Sequence, residues 1–178
     1  MAITASDIKF RLSTATGPGN STAGTPNASL GGFMSSTDMV AGANGLFDDI
    51  SGAENAASTV DYRCVFVYND HDTLTLQNAV VYMSAEVAGG ANITIAVDNI
   101  GPLADNSASA QAAVIANETT APTGAGAFSA PTTPGAGLSL GNIGPNQVKG
   151  VWCKRTATNS AAVTGDGFTL ACIGDTAA

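Results

Sequence analysis

The chain has 178 residues and a formal net charge of −8, from six basic and fourteen acidic side chains, and only 11% of its residues are charged. That length suits one domain with an appendage and buries about two thirds of the unfolded surface, so no disulfide or metal is needed to reach a stable core. The acidic balance and the lack of a basic run argue against nucleic acid as a partner, and no stretch approaches the ~20 apolar residues of a membrane-spanning helix.

The opening MAITASDIKFRLS carries charges where a signal peptide is apolar, so synthesis in the cytoplasm without export is expected. Within it Ile8, Phe10 and Leu12 alternate with Asp7, Lys9 and Arg11, the period-two pattern of a half-buried strand. The next stretch, RLSTATGPGNSTAGTPNASLGG (residues 11–32), holds five glycines and two prolines. Gly17-Pro18-Gly19 and Thr25-Pro26-Asn27 interrupt both helix and ladder, which predicts a long irregular arm. From Met34 to Thr59 isolated anchors (Met39, Val40, Leu46, Phe47, Ile50) surround a predicted turn at Asn44-Gly45. Ser51 and Glu54 then have the spacing of a capping box and predict a single helical turn.

Beyond residue 60 the pattern becomes strand-like. DYRCVFVYN (61–69) is apolar on both faces, and DTLTLQNAVVYMS (72–84) reads as its hairpin partner across a turn at Asp70-His71. NITIAVD (92–98) places Ile93, Ile95 and Val97 on one face. NSASAQAAVIANE (106–118) is the one helix candidate in this half. A second irregular tract covers 119–145, with Phe128, Leu138, Leu140 and Ile143 as its apolar anchors. QVKGVWCKR (147–155) and DGFTLACIG (166–174) read as a closing strand pair. Strands separated by Gly, Pro and Asn turns predict an all-β, antiparallel β-sandwich, Ig-like or jelly-roll-like, with a long irregular extended arm and loops. The expected division is an N-terminal strand, arm and irregular segment over 1–60, followed by a sandwich core over 61–178.

Several motifs invite a chemical reading. GLSLG (137–141) matches the nucleophile elbow around Ser139, but Asn142-Ile143-Gly144-Pro145 follows where a helix should start, and the single histidine, His71, lies upstream. Asp70 and Asp72 flank His71, and Asp48 and Asp49 are adjacent, yet neither group has the glycine and glutamate positions of a calcium loop; no metal is expected. GPGNST and GAGAFS lack the last glycine of a dinucleotide fingerprint, so no cofactor is expected. Cys64, Cys153 and Cys172 sit in apolar runs without CxxC spacing and read as buried free thiols. Lys149, Lys154 and Arg155 form the one basic cluster, with Trp152 opposite, and read as a solvated outer face, with contact to an acidic neighbour as the alternative.

The phrases FRLS…NSTAGTPNASLGGFMSS, NGLFDDISGAENAASTVDYRCVFVYN, TLTLQNAVVYM, NETTAPTGAGAFSAP and GLSLGNIGPNQVKGVWCKRT…DGFTL follow one another in an order that resembles small β-rich virion structural proteins of tailed bacteriophages. The resemblance implies a non-enzymatic component of the particle, a decoration or cement protein on the capsid exterior, with a tail or baseplate component as the alternative. It implies the major capsid protein or other virion subunits as partners, further copies of the same chain in a homo-oligomer, and no active-site residues. On the residues themselves, 13–33 are expected to bridge neighbouring subunits. Pro18, Asn20 and Pro26 lie along that arm, Leu30, Phe33 and Met34 anchor its far end, and Phe128 and Leu138 contribute from the second tract. Two readings from other classes remain, a carbohydrate-binding or adhesin sandwich using Trp152 as an aromatic platform and an esterase using Ser139.

Overall fold

The computed structural model describes residues 2–18, 21–161, 163 and 165–176. The regular secondary structure of the described residues is almost entirely β: β1 (Ile8–Thr14), β2 (Phe33–Asp38), β3 (Gly42–Ala43), β4 (Val60–Asn69), β5 (Leu76–Glu86), β6 (Asn92–Val97), β7 (Leu103–Ala104), β8 (Leu138–Ile143), β9 (Gln147–Thr156) and β10 (Gly167–Thr176). They form a six-stranded sheet in the order β2-β1-β4-β9-β6, with β7 also paired to β9, and a four-stranded sheet in the order β3-β10-β5-β8. Every ladder is antiparallel, as the alternating pattern predicts.

The two sheets face each other across one apolar layer. Val65 and Val67 of β4 and Val151 and Cys153 of β9 meet Val81 and Met83 of β5 and Leu170 of β10. The alternation read in 8–12 and 92–98 is realised: Ile8, Phe10 and Leu12, and Ile93, Ile95 and Val97, all pack on this layer. The predicted capping box forms too. Ser51 Oγ accepts from Glu54 N at 3.2 Å, Glu54 Oε2 accepts from Ser51 N at 2.7 Å, and the helix α1 runs over Gly52–Ala57.

Three local expectations are corrected. β4 and β5 are not a hairpin, because β4 pairs with β1 and β9 whereas β5 pairs with β10 and β8. The segment between them closes one end of the sandwich instead. Asn69 Nδ2 donates to the carbonyls of Leu74, Ile143 and Gly144 at 2.8, 2.9 and 3.1 Å, and His71 Nδ1 accepts from the amides of Thr73 and Leu74. Six residues are enough to cross the ~10 Å between stacked sheets. For the same reason β9 and β10 fall in different sheets rather than pairing. The 106–118 stretch is not helical: Gln111, Ala112 and Ile115 are buried and its backbone pairs with the first irregular tract.

That tract is the larger correction. β1 and β2 pair with Ser13 opposite Met34 and Thr14 opposite Phe33, so the segment between them starts and ends at neighbouring points of one sheet. From Thr22 to Gly32 it folds back against the sheet it came from. Ser29 O accepts from Cys64 N at 2.8 Å, Leu30 O from Ile115 N at 3.0 Å, and Thr22 O from Ser36 N at 2.9 Å. Gly31 has φ +90°, and a Cβ there would sit 1.8 Å from Ala113 O and 3.2 Å from the Trp152 ring. Small residues are what allow the backbone to lie this close to a sheet.

The physical cause is a strand apolar on both faces. Cys64, Phe66 and Tyr68 of β4, with Val148 and Trp152 of β9, point away from the other sheet and form a second core, which Met34, Ala112 and Ile115 cover. Asp98 pins this cover. Its Oδ2 accepts from Trp152 Nε1 at 2.8 Å and from Ala113 N at 3.3 Å, while Lys149 Nζ donates to the Asp98 carbonyl at 2.7 Å. The molecule therefore has three layers, with the six-stranded sheet in the middle.

Candidate functional site

A concavity lies at one end of the sandwich, where the segment leading into α1 faces the stretch between β9 and β10. Phe47 closes the core there. It is buried, tilted at 44° to Phe168 with ring centroids 6.3 Å apart, and covered by the Arg155 guanidinium at 4.8 Å from its centroid. Arg155 stands directly opposite Asp61 in the β4–β9 ladder. Its Nε and Nη2 donate to Asp61 Oδ2 at 3.2 and 2.7 Å, and its remaining donors engage the carbonyl and the carboxylate of Asp48. Asp61 Oδ1 is buried without a hydrogen-bond partner among the described residues.

Above this layer lies a cleft of about 480 Å³. Its floor is apolar, from Phe47, Ile93 and Phe168, and its walls carry Asn44, Asp48, Asp49, Asn55 and Asp166. The walls are tied to one another: Asp166 Oδ2 accepts from Ala91 N at 2.8 Å, Asn55 Nδ2 donates to Ser160 O at 2.8 Å, and Thr158 Oγ1 donates to Gly90 O at 3.0 Å. Ser51 hydrogen bonds, side chain first and backbone second, hold the Glu54 carboxyl below the usual range. The cleft offers carboxylate acceptors over an apolar floor, while the guanidinium of Arg155 is already engaged by Asp48 and Asp61. Among the described residues no group of three His, Cys, Asp or Glu side chains is placed to hold a metal ion.

The residues expected to form a partner-binding arm are not brought together. Pro18 is exposed, and Asn20 lies outside the described residues. Pro26 opens a 3₁₀ turn at the tip of the folded-back tract, beside Asn44, Asp48 and Asp49 on the rim of the cleft. Leu30 and Phe33 are half-buried, and Met34 is wholly buried in the second core, so it does not serve as a free anchor. Phe128 lies edge-on to Tyr62 at 5.7 Å with Lys154 over its ring at 5.5 Å. Leu138 packs from β8 onto the main core.

Other singled-out residues take structural positions. The basic cluster is not a solvated face: Lys149 and Arg155 are buried, and burial lowers the Lys149 pKa. Trp152 is fully buried beneath the folded-back tract, so it presents no aromatic platform to a sugar. Ser139 sits on an exposed position of β8, and the His71 ring accepts backbone amides within its own turn. Cys64 and Cys153 are buried free thiols whose pKa values burial raises, and the half-buried Cys172 thiol is pushed up to about 12 by the same effect. The Asp61–Arg155–Phe47 assembly was missed in the sequence. Its signal was present, since Asp61 and Arg155 share parity with the inward-facing Val65 and Val151 along their strands.

No protein-family model, curated protein or solved structure matches the chain.

Proposed function

We propose that the chain is a non-enzymatic structural protein of a phage virion, a decoration or cement protein seated on the capsid exterior. The ordered phrases that resemble such proteins support this reading, and one geometric observation carries it. The four-stranded sheet has an outer face on which Val80, Tyr82 and Ser84 of β5 and Thr169, Ala171 and Ile173 of β10 alternate with the core-facing positions; the one carboxylate in line with them on β10, Asp175, stands at the strand's end, where it accepts from Asn78 Nδ2 at 3.1 Å. Such a face packs against a neighbouring protein without stripping water from an ion, which is the expensive step in burying a surface. Contact then falls to this sheet and to the Pro26 tip, because the folded-back tract is occupied with its own sheet. The major capsid protein is the partner in this reading, and a tail subunit is the competing one.

Cryo-electron microscopy of the purified particle tests the proposal. Density for this fold over the capsid shell is the expected result, with the outer face of the four-stranded sheet turned towards the shell. Density confined to the tail would transfer the assignment to a tail component, and absence of the chain from the particle by mass spectrometry would end it. Tyr82→Asp leaves the core side of β5 untouched and is expected to reduce retention on the particle during heating.

A further inference from the structure

We infer that β10 is the seam of a homodimer, in which two copies of this chain join their four-stranded sheets by antiparallel β10–β10 pairing. The inference rests on how the strand edges are finished, independently of any particle. The free edge of β2 is covered by its own hairpin loop, through Ser36 N to Thr22 O and Gly24 N to Thr37 Oγ1. The outer edge of β6 is covered by the second tract, through bridges from Ile95 to Ser129 and from Asp98 to Ala125. β8 is a short edge of six residues interrupted by Gly141 at φ +74°.

β10 has none of these protections. On its side away from β5 the two-residue β3 pairs only with Gly167 and Phe168, and Ile3 N meets Thr176 Oγ1 at the other end. Between them Thr169–Asp175 has no ladder partner among the described residues, and about half of its backbone N–H and C=O groups point outward. The strand is also regular. At both irregularities of the β5–β10 ladder the extra residue belongs to β5: Ser84 lies between the partners of Thr169 and Leu170, and two residues of β5 face the single Gly174. Monomeric sheets blunt such edges with charged side chains, above all Lys, with Pro or with a bulge; TLACIGD has no Lys, Pro or bulge of its own, and its single charge, Asp175, stands at the end of the open stretch.

The open stretch is self-complementary, which favours a second copy over a foreign strand. Antiparallel pairing centred on Cys172 sets Thr169 opposite the partner's Asp175, so the seven residues of one copy fill the gap between β3 and Ile3 in the other. The two Asp175 carboxylates then lie about 20 Å apart, beyond the screening length at physiological salt. Ala171 of one copy meets Ile173 of the other on the outer face, covering a side chain that is 47% exposed in the single chain. A two-fold axis through the seam makes every contact twice.

Analytical ultracentrifugation of the full chain over a range of concentrations, with hydrogen exchange read at 169–175, tests the pairing. The expected species has twice the 17.5 kDa mass of the chain, and amides of 169–175 gain protection as concentration rises. Ile173→Lys places a charge on an exposed position and brings like charges close across the seam, so it is expected to weaken association by about tenfold or more while leaving the circular dichroism spectrum unchanged. A chain that stays monomeric at every concentration overturns the inference. So does a dimer that survives Ile173→Lys with the 169–175 amides exchanging freely. If the variant fails to fold, the concentration dependence of exchange in the unmodified chain decides alone.

Discussion

The two sheets of this molecule are finished in opposite ways. The six-stranded sheet is buried on both faces, by the other sheet on one side and by two irregular tracts on the other, and its outer edges are covered by the same tracts. The four-stranded sheet is buried on one face only, and its outer face and one long edge are left bare. Irregular backbone rich in Gly and Ser is thus spent where a strand is apolar on both sides, and the surface that remains free carries few charges, Asp175 among them. The difference teaches that a long glycine-rich tract is not by itself a reaching arm, since it also serves as close-fitting cover for a sheet whose second face is apolar.

The largest expected effect comes from the buried end of the inter-sheet core. Arg155→Ala strands Asp61 as a buried carboxylate without its ion-pair partner and removes the nearer of the two guanidinium groups over the Phe47 ring, leaving that of Arg63 at 5.8 Å. A loss of about 3–5 kcal/mol is expected, read as a lower urea midpoint with an unchanged slope. Removing both partners sharpens the point. In the Arg155→Met, Asp61→Leu double variant no charge is left uncompensated, so much of that loss should be recovered. If the double variant is as unstable as the single one, the guanidinium acts through packing and not through charge.

The covered face of the six-stranded sheet breaks more gently. Gly31→Ala forces a side chain into the left-handed region and drives its Cβ into the Ala113 carbonyl, with the Trp152 ring just behind. A destabilisation of about 1–3 kcal/mol is expected, together with a red shift and rise in exposure of the Trp152 fluorescence as the cover lifts. Unchanged emission would mean that the tract is not what seals Trp152 from water.

How much of this was legible in the sequence follows from which forces are local. The alternation of Ile8, Phe10 and Leu12 and of Ile93, Ile95 and Val97 placed those side chains correctly because a strand's facing is a two-residue property. The Ser51–Glu54 cap was equally legible, being contained within four residues. Strand partners were not, because β4 and β5 are separated by a segment that fits either a hairpin or a crossing between sheets. The 106–118 stretch misled because its alanines have high helix propensity, yet a helix this short is marginal by itself, and backbone pairing with Gly32 and Leu30 outweighs that preference. The path of the tract after β1 was hidden for a similar reason: its composition states that it is irregular, and only the apolar second face of β4 states where it lies. The charged cluster of Asp61 and Arg155 joins residues far apart in the chain, and no local pattern pairs them.

The smallest expected effect separates surface charge from burial. Asp70 follows β4 and is ion-paired with Lys9 of β1, both partners being about one-third exposed. Burial alone would raise the Asp70 pKa, but hydrogen bonds with Lys9 and Tyr68 and the Lys9 charge outweigh it, so the carboxyl titrates below the ordinary aspartate range. A depressed folded pKa means that the pair stabilises the fold above the unfolded value, near pH 4, and that this contribution fades as the pH falls further and the folded carboxylate takes up its proton. Solvent screening keeps it to about 0.5 kcal/mol. Asp70→Asn should therefore lie slightly below the unmodified chain in urea midpoint at pH 7, and the gap should close by pH 2 and narrow in high salt. A gap that persists at pH 2 would assign the effect to the packing of the Asp70 turn against β1, and would make this end of the six-stranded sheet resemble the Arg155 end in depending on buried contacts.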